Sequence, residues 1–345
     1  MIGFHIWGFG HIGKRYAEII SKIPEVKLMS IIDIDSDCLS KAKSLYPAVS
    51  LYQTTKEWQQ DNEFVNHQQI GCICVPNGLH LDLATVVKRS GLHLLIEKPL
   101  DILYSKCLDF MNHLQDNDKM VFCVLQNRYT PVSQLLKHVV SNNLLGKINF
   151  IQVNCFWNRD EKYYQQSNWR GSIELDGGPL FTQFSHYIDS LVYLFGELEF
   201  QSGFLRNFNH QYTEVNDDTG IVVFKAKSNI LGTINYTTSV WDKNLESSIT
   251  IIGDKGSVKA GGQYMENIDY LHFSGQELAD VELRGDKPEV NNYGHYKGSA
   301  GNHKYILEQM IRAVNSETFE LPNIVEAAES IRFIESIYQN SQIDS

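Results

Sequence analysis

At 345 residues and 43% hydrophobic, the chain is long enough for two domains with their own cores. Its formal charge of −11 argues against a broad nucleic-acid-binding face, which needs clustered Lys and Arg, while leaving room for local arginines on one anionic ligand. Six cysteines without Cys-x-x-Cys spacing, and no apolar run of about 18 residues, lead us to expect a cytoplasmic chain with reduced thiols, no metal site, no signal peptide and no membrane span.

Residues 2–7 form a strand pattern that runs into Gly8-Phe9-Gly10-His11-Ile12-Gly13, and a helical stretch follows over 14–21. In that setting G-x-G-x-x-G reads as a dinucleotide loop. Gly8 allows the tight turn, Gly10 lets backbone approach a pyrophosphate, and Gly13 lets helix and strand pack closely. The helix N-terminus adds N–H donors and the positive end of the dipole. The apolar run 26–32 ends in Asp33, 20 residues after Gly13, the spacing at which an acid meets the adenosine ribose. Such an acid bonds a 2′-OH and repels a 2′-phosphate. With no arginine in Ile34-Asp35-Ser36-Asp37, NAD is expected over NADP.

The alternation continues. A strand over 70–75 ends in Pro76-Asn77-Gly78-Leu79-His80, and a helix is expected over 81–90. The short run Leu92-His93-Leu94-Leu95-Ile96 suits a buried parallel strand and stops at Glu97-Lys98-Pro99. In an open α/β sheet the carboxyl ends of strands face the ligand crevice, so Lys98 is placed near bound chemistry. A helix over 104–115 leads to a strand over 120–125 that ends at Gln126-Asn127-Arg128. Residues 1–126 therefore read as a doubly wound Rossmann domain. Its expected cofactor contacts are Gly8, Phe9, Gly10, His11, Ile12, Gly13, Asp33, Ile34, Val75, Pro76, Asn77, His80, Glu97, Lys98 and Gln126, joined from the second half by Trp169 and Arg170.

Residues 127–345 change character. After Pro131 and a helix to about 143, strand patterns over 147–157, 203–208, 219–225, 230–240 and 247–252 predict a large, mostly antiparallel open sheet in a second α/β domain. Gly253-Asp254-Lys255-Gly256 and Gly261-Gly262 read as turns, and 340–345 as a loose polar tail. Two stretches concentrate polar and aromatic residues. The first runs from Phe156-Trp157-Asn158-Arg159 through Tyr163-Tyr164 to Trp169-Arg170. The second, Asp176-Gly177-Gly178-Pro179, opens a helix carrying Thr182, Gln183, His186 and Asp189, with Asp176 also suited to an N-cap. On one continuous helix Thr182, His186 and Asp189 share a face, and Asp189 would fix the His186 tautomer.

The glycine loop, Glu97-Lys98-Pro99, Asn127-Arg128 and the glycine-led helix with His186 together resemble the Gfo/Idh/MocA oxidoreductases over most of the chain. The resemblance implies an N-terminal Rossmann domain, a C-terminal α/β domain used for oligomerisation, and NAD(P)-dependent oxidation or reduction of sugars by Lys98 and His186. One subgroup, the UDP-N-acetylglucosaminuronate 3-dehydrogenases of bacterial surface-polysaccharide and O-antigen synthesis, looks similar at several further segments. These are Cys155-Phe156-Trp157-Asn158-Arg159, Leu175-Asp176-Gly177-Gly178, Thr182-Gln183-Phe184-Ser185-His186, Gly261-Gly262-Gln263-Tyr264-Met265, and Asn291-Asn292-Tyr293-Gly294-His295-Tyr296-Lys297-Gly298-Ser299 with Asn302-His303. Many family members carry an aspartate four residues before the helix histidine; this chain has Thr182, which is no general base at neutral pH.

The expected substrate is then a UDP-sugar, contacted by Lys98, Arg128, Asn158, Arg159, Tyr163, Tyr164, Thr182, Gln183 and His186. Arg159 and Arg170 are the candidate cations for its diphosphate and carboxylate. Either Lys98 or His186 takes the hydroxyl proton. By resemblance, 2-oxoglutarate is a candidate hydride acceptor that regenerates NAD, and a homo-oligomer, dimer or tetramer, is expected. The alternatives are a dehydrogenase for an inositol or another sugar, and a non-catalytic NAD-binding sugar-nucleotide sensor.

Overall fold

The computed structural model describes residues 1–61, 68–114, 119–274, 276–277, 290–292 and 297–344. The segment Tyr293-Gly294-His295-Tyr296 singled out above lies outside the described residues. The chain divides into two compact units. The first comprises Met1–Leu125 and His303–Ala328, the second Gln126–Asn302 and Glu329–Ser345.

The first unit is built on six parallel strands: β1 (Ile2–Trp7), β2 (Val26–Ile32), β3 (Ser50–Tyr52), β4 (Gln69–Ile73), β5 (His93–Ile96) and β6 (Val121–Cys123). Their order is β3-β2-β1-β4-β5-β6, so the chain reverses direction between β1 and β4, where such sheets open a ligand crevice at the strands' carboxyl ends. β1 and β5 are buried at every residue, which explains their unbroken apolar runs. The connecting helices are α1 (His11–Ile20), α2 (Ser36–Leu45), α3 (Thr55–Asp61), α4 (His80–Lys88) and α5 (Tyr104–Asn112).

The expectation that everything after residue 126 forms the second domain is corrected by the return of His303–Ala328 to the first. The cause is apolar cover. Helix α10 (His303–Val314) buries Ile306, Leu307 and Met310, and its His303 ring meets Tyr16 of α1 edge-on at 5.8 Å. Phe319 packs edge-on against Phe122 of β6, with ring centroids 5.6 Å apart.

The second unit holds α6 (Pro131–Ser141), β7 (Ile148–Phe156), α7 (Glu161–Gln165), α8 (Pro179–Thr182), α9 (Ser185–Phe195), β8 (Leu198–Arg206), β9 (Thr219–Ala226) and β10 (Ile230–Thr237). It continues with β11 (Glu246–Gly253), β12 (Gly256–Gly261), β13 (Asn267–Phe273), β14 (Gln276–Glu277), the small pair β15 (Val290–Asn292) and β16 (Lys297–Ala300), the end of α11 (Ile324–Asn340), and β17 (Gln342–Asp344). Nine of these strands form one mixed sheet, β14-β13-β12-β11-β7-β10-β9-β8-β17, antiparallel except at β7/β10 and β8/β17. Period-2 alternation is visible in β9 and β10. One face carries Val222, Phe224, Ile234 and Tyr236 into the core, where Phe333 of α11 meets Phe224 and Phe184 meets Tyr236.

Two expectations fail here. The described part of the expected loose tail, 340–344, is ordered, because Gln342, Ile343 and Asp344 pair with Phe204, Leu205 and Arg206 of β8, and Ser345 lies outside the described residues. The helix from residue 180 is not continuous either. The backbone N–H groups of Gln183 and Phe184 both turn to the Pro179 carbonyl, ending α8, and α9 starts afresh at Ser185. Thr182 and His186 therefore sit on different helices.

Candidate active site

In the first unit, the turn after β1 has the geometry that its glycines require. Gly8 adopts φ +91°, and a Cβ there would lie 2.5 Å from the Cys74 carbonyl oxygen. A Cβ on Gly13 would run into the Gly8 carbonyl, whereas one on Gly10 would meet nothing within 4 Å. Helix α1 starts at this open place with no capping side chain and no acid in its first turn, so its N–H donors and dipole face an anion unopposed. Asp33, half-buried at the end of β2, accepts the Phe9 N–H at 2.5 Å on one oxygen and the Asp35 N–H at 2.9 Å on the other. Each oxygen keeps a lone pair for a ribose hydroxyl. Ile34 beside it is 84% exposed, an apolar surface suited to an adenine face. These residues fit NAD.

Lys98 follows β5, half-buried, among three groups that feel its charge: His80, Glu97 and His303. Glu97 is buried. It accepts the Tyr16 hydroxyl at 2.6 Å and the Lys98 N–H at 3.2 Å, and the His303 imidazole stands 3.7 Å away. Burial raises the Glu97 carboxyl, opposed by Tyr16 and Lys98. Burial together with the charges of Arg15 and Lys98 depresses His303 to about 3, so that ring is neutral. The carboxylate of Glu97, a residue expected to touch cofactor, ties α1 and α10 to the strand end that carries Lys98.

His80, also expected at the cofactor, is buried between two strand ends. Its Nδ1 lies 2.6 Å from the Pro99 carbonyl oxygen and its Nε2 2.8 Å from that of Val75. Burial lowers its pKa to about 4, and a neutral ring has one N–H, so it donates to one of these two carbonyls and packs against the other beside Lys98-Pro99.

The second unit collects the aromatic and helix residues. Nε2 of His186, buried on α9, lies 3.3 Å from the Gln126 side-chain nitrogen. Asp189 does not serve His186. Both its oxygens face Arg128, at 2.8 Å from Nε and 2.6 Å from a terminal nitrogen, and Ser330 adds a contact at 3.5 Å. Arg128, an expected substrate contact, is 3% exposed, lies over the Tyr193 ring and forms a buried tie between residues 126–129 and α9. Asn158 is likewise used structurally: its N–H donates to Asn244 and its amide to the Val240 carbonyl.

Arg159 and Arg170 lie 5.1 Å and 4.1 Å from the centroid of the Tyr163 ring, a cation–π arrangement that orders both. Arg170 donates to the Tyr163 carbonyl and Gln166, and half-buried Trp169 lies beside it. Tyr163 and Tyr164 are buried edge to face, and Gln183 donates to the Tyr163 hydroxyl at 3.1 Å. Asp176 is not an N-cap, since Gly178 holds that place on α8. It accepts the Gly171 N–H, the Gly178 N–H and the Thr182 hydroxyl, while burial raises its pKa against those bonds.

Sequence reading missed this Asp176–Thr182 pair, the Arg128–Asp189 pair and a buried acid, Asp217. No local spacing links residues that meet only through tertiary packing. Among the described residues, no three His, Cys, Asp or Glu side chains are grouped to hold a metal, and no helix is long and apolar enough to cross a membrane.

Comparison with known proteins agrees with this geometry. Residues 2–124 match the oxidoreductase family with an NAD-binding Rossmann fold, and residues 133–259 match the GFO/IDH/MocA C-terminal domain. Among solved structures, the WlbA dehydrogenase of Chromobacterium violaceum, in complex with NADH and UDP-GlcNAcA, is 29% identical with a TM-score of 0.86, covering 98% of this chain and 93% of that one. The WlbA dehydrogenase of Bordetella pertussis, with the same two ligands, is 26% identical at TM-score 0.85, covering 98% and 95%. The glucose-6-phosphate 3-dehydrogenase of Bacillus subtilis is 23% identical over 98% of this chain and 96% of its own length. Two matched domains, the glycine turn and the Lys98 strand end lead to one conclusion: the chain belongs to the Gfo/Idh/MocA oxidoreductases and binds NAD through its Rossmann domain.

Proposed function

We propose that the chain is an NAD-dependent dehydrogenase that oxidises the C3 hydroxyl of UDP-N-acetylglucosaminuronic acid to the 3-keto sugar nucleotide, in bacterial surface-polysaccharide synthesis. The observation that carries this reading is the likeness over nearly the whole chain to WlbA dehydrogenases solved with NADH and UDP-GlcNAcA. Six free cysteines suit a reducing cytoplasm.

NAD, when bound, supplies the hydride acceptor. The protein's residues hold the rest. Asp33 would hold the ribose hydroxyls, and the α1 N-terminus with Gly10 would hold the diphosphate. Arg159 and Arg170, held on the Tyr163 ring, supply planar cations for the substrate's phosphates and carboxylate. As hydride leaves C3, Lys98 accepts the hydroxyl proton and His186 shares it, which balances the step as alcohol and oxidised cofactor to ketone, reduced cofactor and a proton. The test is Lys98→Met. We expect turnover to fall at least a hundredfold with NAD affinity retained; turnover within tenfold of wild type removes Lys98 from the role of base.

The kinship to a glucose-6-phosphate 3-dehydrogenase favours a second reading, a sugar phosphate oxidised at the same ring position. Recycling of the cofactor by 2-oxoglutarate is part of the proposal. Purified protein carrying NADH should lose its absorbance on addition of 2-oxoglutarate, and NADH that persists argues for release into solution.

A further inference from the structure

Thr182 ends α8 half-buried, one residue before Gln183, which bonds the Tyr163 hydroxyl. A threonine hydroxyl has one proton and two lone pairs. That proton is directed at the Asp176 carboxylate, with the Asp176 carbonyl oxygen 3.2 Å away as a second acceptor. The direction is fixed by what else surrounds Asp176. Its side chain is 1% exposed; one oxygen takes the Gly171 N–H at 2.8 Å and the other takes the Gly178 N–H at 3.3 Å together with the threonine hydroxyl. Ringed by donors, the carboxylate acts as acceptor, so Thr182 is the donor of the pair.

We propose that Asp176 is a positioning residue that fixes the polarity of Thr182. With its proton committed, Thr182 Oγ1 meets a ligand as an acceptor. It takes a hydrogen bond from a sugar hydroxyl or acetamido N–H and turns away the sugar's carboxylate, whose oxygens are also acceptors. This inference rests on the sugar-nucleotide reading above and deepens it.

Steady-state kinetics with UDP-N-acetylglucosaminuronic acid and UDP-N-acetylglucosamine as probes test it. Thr182→Val should lower kcat/KM about tenfold, by the same factor for both probes, because the lost contact is to a group that both sugars share. Thr182→Ser should recover most of that loss. Asp176→Asn keeps its amide oxygen toward the Thr182 and Gly178 donors and should stay near wild type, whereas Asp176→Ala removes the acceptor and should lose as much as Thr182→Val, and combining Asp176→Ala with Thr182→Val should cost no more than either alone. Thr182→Val within twofold of wild type overturns the inference, as does a loss confined to the uronic acid. If Asp176→Ala fails to fold, the valine and serine variants still decide. A wild type that reduces NAD with neither probe overturns the sugar-nucleotide reading and this inference together.

Discussion

Asp33 carries the clearest prediction at the scale of a single residue. Both of its carboxylate oxygens already hold backbone N–H groups of the glycine turn and of the residues after β2, so its position is fixed before any cofactor arrives. Asp33→Ala should weaken NAD binding and narrow the preference over NADP, read as the ratio of their dissociation constants. An unchanged ratio contradicts the ribose contact. Asp217 carries a second prediction. Burial raises its carboxyl to about 7, with the neighbouring Asp218 and Asp176 adding to the shift and Tyr236 and Tyr338 opposing it. Its unfolded counterpart titrates near ~4. Between those values the folded chain holds a proton that the unfolded chain has lost, so stability falls as pH rises through that window and levels off above about 7. Asp217→Asn should flatten that fall and melt above wild type at about pH 8; parallel melting curves across the window contradict the assignment. Asp33 and Lys98 were legible in the sequence because each stands at a fixed short distance from a strand end. Asp217 was not, because its partners Tyr236 and Tyr338 lie on a neighbouring strand and on the last helix.

At the scale of elements, the glycine turn and the strands of the first unit followed their patterns closely, since a buried parallel strand leaves an unbroken apolar run. The helix carrying His186 did not. Periodicity continues across residues 183–184 although the hydrogen bonds do not, and Asp189, placed beside His186 by helical spacing, is held by Arg128 instead. That ion pair joins residues 126–129 to α9 in a fully buried setting. Arg128→Met leaves a buried carboxylate unpaired and should cost about 3–5 kcal/mol in urea unfolding. Adding Asp189→Leu should return most of it, and a single variant that unfolds like wild type would remove the pair from the fold's essentials. The C-terminal strand β17 escaped the sequence reading because three residues give no period, and its pairing comes from the distant strand β8.

At the scale of the whole molecule, the expected second domain was right in its sheet and wrong in its continuity, because an amphipathic helix after residue 302 covers the first unit rather than the second. The outward face of the nine-stranded sheet carries Phe204 and Ile221, each 55% exposed and directly paired, and, four residues away along the strands, a second apolar row of Leu231, Phe150 and Ile252. Apolar area of that extent calls for cover, and a second copy of the chain is the cover we expect. Light scattering should give a dimer or tetramer, and Ile221→Glu with Leu231→Glu should shift it toward the monomer; a monomeric wild type contradicts this. NADH absorbance reads the proposed oxidation itself. Purified protein with NAD should form NADH with UDP-N-acetylglucosaminuronic acid at least tenfold faster than with UDP-N-acetylglucosamine, whereas equal rates, or no signal with the uronic acid, would contradict it.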